Sequence, residues 1–212
     1  MAVYDLEEQE QIDELKAWWK DYGNLVLTAV IAVALGFAAF QGWRWYTTKQ
    51  AVEAGELYVQ LKQAADTGDA KKAGDIAAAV IERYPRTGYA TYAALAGAKA
   101  AFESGDLPAA KSKLQWAIDH ARDEPTRDIA RLRLAAVLLD EKQYDQALKL
   151  LDGKPAEPFV PLYADLRGDV LVAQGKPAEA RAAYQLALDK SEAGSTLRTL
   201  VQVKRDALGE AK

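Results

Sequence analysis

The sequence predicts an all-α membrane protein, with a single N-terminal transmembrane helix, an α-solenoid of about four helical hairpins and a C-terminal capping helix. Three observations predict this fold. Residues 22–43 carry no charged side chain, and a hydrocarbon core about 30 Å thick needs roughly 20 apolar residues in helical form. A pattern of small and apolar residues recurs through residues 57–194, which indicates a repeat array. Residues 195–212 contain a final amphipathic helix that can close such an array.

The chain begins with a short acidic tail, residues 1–21. Two lysines stand there against seven acidic residues, whereas residues 44–212 hold 25 basic and 24 acidic side chains. The balanced larger region lacks a basic stripe that could neutralise phosphates, so nucleic acid is not expected as a partner. Leu15, Trp18 and Trp19 share one helical face. The tail is therefore expected to form an amphipathic helix at the lipid headgroups, or else a docking element for a partner on that side.

Aromatic residues frame the uncharged span, residues 22–43, at both ends. Trp and Tyr favour the membrane–water interfaces, where an apolar ring can carry a wet polar edge. The predicted interfacial anchors, which make membrane lipid an expected partner, are Trp18, Trp19, Trp43, Trp45 and Tyr46. A cleaved signal peptide has a basic leader and a shorter apolar region. The acidic leader and the long apolar run therefore predict an uncleaved anchor.

Small residues within the span suggest a surface for another helix. Ala32 with Gly36, and Ala38 with Gly42, have the spacing that lets a second helix backbone approach closely in lipid. Alanine and glycine are also frequent in membrane helices that have no specific partner, so both interpretations remain open.

The orientation of the span does not follow from its flanking charges. Two basic residues lie near each end, so the positive-inside rule gives a tie. The chain contains no cysteine, which removes disulfides and thiol chemistry but does not identify a compartment.

Residues 44–56 are predicted to continue the membrane helix as a helical connector, and residues 57–194 to form the repeat domain. Four turn positions recur at spacings of 37, 37 and 33 residues, namely Gly68, Gly105, Lys142 and Gly175. A small residue follows each turn by five positions, at Ala73, Ala110, Ala147 and Ala180. A turn residue after a helix often needs positive φ, and a small residue lets paired helices approach closely. These units resemble the tetratricopeptide repeat, a 34-residue helix–turn–helix unit.

The last predicted helix runs through Ser195–Leu208. Its apolar residues are expected on one side, at Leu197, Leu200, Val201 and Leu208. Arg198, Gln202, Arg205 and Asp206 are expected to cover the other side, because a terminal helix of a solenoid needs a polar outer face.

The side chains that could carry catalysis are few. His120 is the single histidine, and its place near the end of the second unit predicts an exposed linker residue. No Gly-rich loop joins a strand to a helix, so no phosphate-binding loop is implied. The sequence therefore predicts no enzymatic activity, no metal site and no cofactor.

The functional surface of an α-solenoid is usually its concave side, lined by the first helix of each pair. The apolar residues predicted at or near this groove are Tyr58, Tyr92, Leu95, Phe102, Ile129, Leu132, Leu139, Leu162, Leu166 and Val172. The charged residues among them are Lys62, Lys99, Arg133, Asp165 and Asp169. Some of the apolar set is expected to be core, and the remainder suits an extended or helical segment of another protein.

One known use of such a groove, binding of a C-terminal carboxylate, depends on residues that this groove lacks. Tetratricopeptide domains that clamp a chaperone's C-terminal carboxylate rely on asparagines in this groove. The chain's one asparagine is Asn24, inside the membrane segment. That clamp is therefore not expected.

The whole chain resembles one bacterial family, the ancillary SecYEG translocon subunits, or YfgM-like inner-membrane proteins. The resemblance lies in the acidic tail, the repeat array and an Ala/Gly-rich span that ends Gly-Trp-Arg-Trp-Tyr at residues 42–46. It implies a single-pass protein of the bacterial inner membrane, with a cytoplasmic N-terminus and a periplasmic repeat domain. The implied partners are the SecYEG translocon, a PpiD-type membrane-anchored periplasmic chaperone, and unfolded or newly translocated polypeptides. The implied role is a non-enzymatic adaptor that helps pass newly translocated proteins to periplasmic chaperones.

Two other functions are compatible with the same residues. A membrane-anchored repeat scaffold for another cell-envelope assembly complex, such as an outer-membrane or cell-wall machine, would have this architecture. A cytosol-facing repeat receptor would need the opposite topology. The contacts of the span and the sidedness of the repeat domain distinguish the three.

Overall fold

A computed structural model describes the backbone of residues 3–209 and the side chains of residues 8–209. Within these residues the chain forms nine α-helices, one short 3-10 helix (Glu157–Phe159) and no strand. The α-helices are α1 (Val3–Asp66), α2 (Ala70–Arg83), α3 (Gly88–Glu103), α4 (Leu107–His120), α5 (Glu124–Asp140), α6 (Tyr144–Leu151), α7 (Val160–Ala173), α8 (Pro177–Lys190) and α9 (Thr196–Ala207). The predicted all-α class is confirmed.

The chain divides into two compact units, Met1–Lys49 and Gln50–Lys212. The first contains the apolar part of α1. An 18-residue window there has a mean hydropathy of 2.1, and only 6% of it is buried by protein. By length and composition α1 can cross a membrane, and its low burial differs from that of a core helix in a soluble protein.

The second unit, called the repeat unit below, consists of four helical hairpins and a final helix. The last turns of α1 pair with α2, and the next three pairs are α3 with α4, α5 with α6, and α7 with α8. Apolar cores run between consecutive helices: one centres on Leu61 and Val80, one on Leu114 and Leu134, and one on Leu188.

All four predicted turn positions have left-handed backbone. The φ angle is 76° at Gly68, 82° at Gly105, 62° at Lys142 and 75° at Gly175. In each turn the next residue donates its N–H to a carbonyl five positions earlier, at 2.8 to 2.9 Å. This is the Schellman arrangement, which satisfies carbonyls left free at a helix end. Lys142 adopts this conformation although a residue with a Cβ meets a steric cost of roughly 1–2 kcal/mol there.

Small residues stand where the paired helices meet, as the repeat pattern predicts. Ala73, Ala110, Ala147 and Ala180 are completely buried. Two glycines inside first helices make still closer contacts. A Cβ on Gly97 would lie 2.5 Å from the Cβ of Ala77, and a Cβ on Gly168 would overlap the ring of Tyr184. The sequence pattern identified neither contact, because each depends on which residue faces the glycine.

The third hairpin is shortened and is completed by a buried carboxylate. Helix α6 has only eight residues, and an irregular connection leads from it to α7. Asp128 on α5 is fully buried and accepts hydrogen bonds from the Tyr163 hydroxyl (3.0 Å), the Ala156 N–H (2.9 Å) and Arg131 Nη1 (3.3 Å). Burying a carboxylate is costly unless it is paired and hydrogen-bonded. The Ala156 N–H thus attaches the connection to α5, and the Tyr163 hydroxyl attaches α7 to the same carboxylate.

Helix α9 closes the repeat unit, with one departure from the predicted packing. Val201 is completely buried, but Leu200, predicted on the same side, is 50% exposed. Consecutive helical residues point about 100° apart, so Val201 and Leu200 cannot both face α8. Lys204 takes the position one turn after Val201 and pairs with Asp165 and Asp169 of α7 at 2.9 and 2.8 Å.

Gly168→Ala is expected to lower the free energy of unfolding by about 1–3 kcal/mol, because the added methyl would overpack against Tyr184. The matched control is Gly74→Ala in α2, where a Cβ would meet nothing within 4 Å. This control is expected to raise the free energy of unfolding by up to about 1 kcal/mol through helix propensity. Denaturant unfolding of the detergent-solubilised chain measures both. Stabilisation by both substitutions would contradict the close approach.

Tyr163→Phe is expected to weaken the dependence of stability on alkaline pH. Burial and the hydrogen bond to Asp128 raise the pKa of Tyr163 above its usual value. The unfolded chain therefore loses this proton first, so the stabilisation is complete below about pH 10 and falls as the pH rises further. Denaturant unfolding between pH 9 and 11 should show that the free energy of unfolding falls less steeply with pH in the variant than in the unaltered protein. At pH 7 the variant should be about 1–3 kcal/mol less stable, because Asp128 loses a donor. The same dependence of the free energy of unfolding on pH in both proteins would contradict a raised pKa of Tyr163.

Candidate protein-binding groove

The ten predicted groove residues divide by burial. Leu95 lies in the core, with 8% of its surface exposed. Five residues are half-buried and pack against the cores: Tyr58, Ile129, Leu132, Leu139 and Leu166. The remaining four are between 38% and 47% exposed, and these are Tyr92, Phe102, Leu162 and Val172. The exposed four are the ones available to a partner.

An open pocket lies between α3, α4 and α5. Its volume is about 280 Å³, and its lining residues are Ala98, Lys99, Phe102, Leu114, Arg133, Ala136 and Val137. Ala98, Leu114 and Val137 form a buried apolar floor, while Lys99 and Arg133 are exposed. The pocket thus brings together three residues predicted for the groove: Phe102 and the two cations. Pockets for small ligands typically have volumes of about 300–1,000 Å³, so this one suits one or two side chains of a protein segment.

Three tyrosines form an aromatic cluster where the end of α1 meets the start of α3. The ring centroid of Tyr58 lies 5.8 Å from that of Tyr89 and 6.3 Å from that of Tyr92. Burial raises the pKa of Tyr58 above its usual value, and the nearby Tyr92 hydroxyl adds to this. Tyr89 was missed by the sequence analysis, although its spacing of three from Tyr92 places both on one side of α3.

The predicted acidic residues at the other end of the groove are already paired. Lys204 of α9 binds both Asp165 and Asp169, and the Tyr184 hydroxyl donates to Asp169 at 2.8 Å. Burial alone would lower the pKa of Lys204, but its hydrogen bonds to the two carboxylates outweigh this and raise it. Helix α9 therefore offsets one of the two negative charges at this end, while Arg133 and Lys99 remain exposed at the pocket.

The predicted interfacial anchors are all exposed on the first unit. Trp18 lies 5.8 Å from Tyr22 between ring centroids, and Trp43 lies 6.4 Å from Tyr46. The Lys49 ammonium is 5.5 Å from the Trp45 ring centroid. At 1.5 Å per residue, Trp19 and Trp43 are about 36 Å apart along the helix. This separation is slightly larger than the thickness of a hydrocarbon core, which is about 30 Å.

The two small-residue pairs of the span occupy different faces of α1. Ala32, Gly36, Ala38 and Gly42 are all exposed, and a Cβ on either glycine would meet nothing within 4 Å. At 100° per residue, the Ala38–Gly42 pair is rotated by roughly 120° from the Ala32–Gly36 pair. The span therefore offers two separate faces to other helices rather than one stripe.

His120 is exposed at the end of α4, as predicted. Its ring stacks on Trp116 with 4.2 Å between centroids, and its Nδ1 lies 2.9 Å from the Trp116 carbonyl oxygen. These contacts give it a place in the helix terminus.

Comparison with known proteins supports the same fold over nearly the whole chain. A tetratricopeptide repeat-like domain family matches residues 16–210. A protein of Neisseria gonorrhoeae named ancillary SecYEG translocon subunit is 31% identical over 98% of this chain and all of its own length. A protein of the same name in Haemophilus influenzae is 33% identical over 92% of this chain and 94% of its own length. Another in Escherichia coli is 30% identical over 96% of this chain and 97% of its own length. The chain therefore belongs to the tetratricopeptide repeat-like family of the ancillary SecYEG translocon subunits.

Proposed function

We propose that this protein is a non-enzymatic adaptor of the Sec translocon in the bacterial inner membrane. The chain combines a candidate membrane helix with an open apolar pocket. A relative that aligns over its full length is named as a translocon subunit, and this combination supports the proposal. The anchor keeps the protein beside the translocon. The groove of the repeat unit then binds segments of newly translocated proteins.

The proposed arrangement assigns a role to each part of the chain. Residues 1–21 form a cytoplasmic tail, residues 22–43 cross the membrane, and residues 44–56 connect to the repeat domain, residues 57–194. Residues 195–212 form the cap and the C-terminal tail. The repeat domain lies in the periplasm, and the two small-residue faces of the span are available to translocon helices.

Transfer to a periplasmic chaperone, of the PpiD type implied by the resemblance, completes the proposed role. An exposed groove of limited size favours weak binding, because only a few side chains of a client can be buried at once. Weak binding allows release. The client is therefore held while it emerges and then passes to a chaperone that binds it more tightly.

Phe102→Ser is expected to reduce crosslinking of newly translocated polypeptides to the full-length protein several-fold. The side chain is 41% exposed, so its loss should change stability little. The matched control is Leu186→Ser on α8, which removes a side chain that is 47% exposed outside the groove. The measurement is chemical crosslinking in cells, followed by affinity purification and quantification of client proteins.

Co-purification of SecYEG should be unchanged in both variants, because the proposal assigns that contact to the membrane helix. Equal client yields from the Phe102 variant, the Leu186 variant and the unaltered protein would refute the groove as the client site. Loss of SecYEG from the Phe102 variant alone would instead make the groove a docking surface for the translocon.

A further inference from the structure

The pocket between α3, α4 and α5 has a charge bias that its apolar floor does not explain. We infer that it selects segments in which a bulky apolar side chain stands beside a carboxylate. This inference rests on the proposed function of the groove and specifies the chemistry of what the groove binds. The apolar side chain would lie against Phe102 and Leu114, and the carboxylate would meet Arg133 and Lys99.

The floor and the size of the pocket favour one large apolar side chain. Ala98, Leu114 and Val137 are buried beneath it, and Phe102 stands at its edge with 41% of its surface exposed. Covering Phe102 removes apolar surface from water, which contributes roughly 25 cal/mol per Å² before the costs of association. An aromatic side chain suits this place best, since paired rings also favour offset or edge-to-face contact.

Arg133 has the geometry and the free capacity to bind a carboxylate. It is exposed and donates a 3.4 Å hydrogen bond to the Leu95 carbonyl oxygen, which uses one of its five N–H donors. A guanidinium binds a carboxylate through two parallel hydrogen bonds. Arg133 lines the same pocket as Phe102, so both halves of the ligand can come from neighbouring residues of one segment.

Lys99 adds a second cation that can change partners. Its ammonium lies 3.6 Å from the Glu103 carboxylate, and both side chains are more than half exposed. Such exposed pairs contribute little to stability, so a ligand carboxylate can compete with Glu103. Among the described residues that line the pocket, the charged ones are Lys99 and Arg133, and both are basic.

The acidic side chains predicted elsewhere in the groove are not among the residues that line this pocket. Asp165 and Asp169 share Lys204, which offsets one of their two charges. A segment with a carboxylate that enters the pocket therefore meets the two cations of α3 and α5. A segment with a lysine in the same place would meet two like charges, which lowers affinity for the wrong partner.

The test measures binding of short peptides to the full-length protein in detergent micelles, by fluorescence anisotropy at low ionic strength. The host is a twelve-residue Gly/Ser peptide, acetylated, amidated and carrying an uncharged dye, so that a central Glu or Lys is the sole charge. Four versions contain Phe-Glu, Phe-Gln, Phe-Lys or Ser-Glu at the centre. Phe-Glu should bind about tenfold more tightly than Phe-Lys, with Phe-Gln between them, and added salt should reduce the difference.

Charge exchange in the pocket supplies the decisive comparison. Arg133→Glu is expected to abolish or reverse the preference for Phe-Glu over Phe-Lys. The control Lys71→Glu makes the same change of charge at an exposed position of α2, outside the pocket, and should leave the preference intact. A preference that survives Arg133→Glu, or that is lost equally in the Lys71 variant, would overturn the inference.

The remaining outcomes separate this inference from the proposed function. Equal binding of Phe-Glu and Phe-Lys, with both lost in Phe102→Ser, would overturn the charge selection and leave the groove as the client site. Equal binding of Ser-Glu and Phe-Glu would overturn the apolar half of the inference. Absence of binding by every peptide would overturn both the inference and the proposed client site.

Discussion

Paired helices in the repeat unit lie close together because small residues occupy the places where they meet. Completely buried alanines recur at Ala73, Ala110, Ala147 and Ala180, each five positions after a turn residue with positive φ. The turn fixes the direction of the second helix, and the alanine lets it approach the first. A larger residue at the alanine position would separate the pair and open the apolar core between neighbouring hairpins. The position of every groove side chain depends on this repeated contact.

The groove arises from what this packing leaves exposed. Leu95 turns into the core, whereas Phe102, two turns further along α3, remains at the surface beside Arg133. Helix α9 then changes the charge distribution, because Lys204 binds Asp165 and Asp169. The basic charge at the apolar pocket comes from Lys99 and Arg133, which line it directly.

Local signals made much of the fold predictable. Positive φ at Gly68 and Lys142, and burial of the small residues that follow, depend on residues close in sequence and recur with the repeat. The unpredicted features depend on partners far along the chain. The burial of Asp128 depends on two hydrogen-bond donors that lie 28 and 35 residues further along the chain, so no local pattern indicates it. The exposure of Leu200 follows from how α9 docks. The burial of Leu95 follows from its place in the core with Leu114 of α4 and Leu134 of α5. For the candidate site, the sequence predicted ten groove residues, but which of them are exposed depends on how the neighbouring helices pack.

The proposed capture of emerging chains requires that the repeat domain lie on the periplasmic side of the membrane. The chain lacks cysteine, so one introduced thiol can be labelled without background. Ala193→Cys lies in an exposed turn before α9, and Gln11→Cys lies at an exposed position of the acidic tail. A membrane-impermeant thiol reagent that can pass the outer membrane is added to intact cells. With a periplasmic repeat domain and a cytoplasmic tail, we expect labelling at position 193 before lysis and at position 11 only after lysis. The reverse pattern would contradict a periplasmic repeat domain and, with it, the capture of emerging chains.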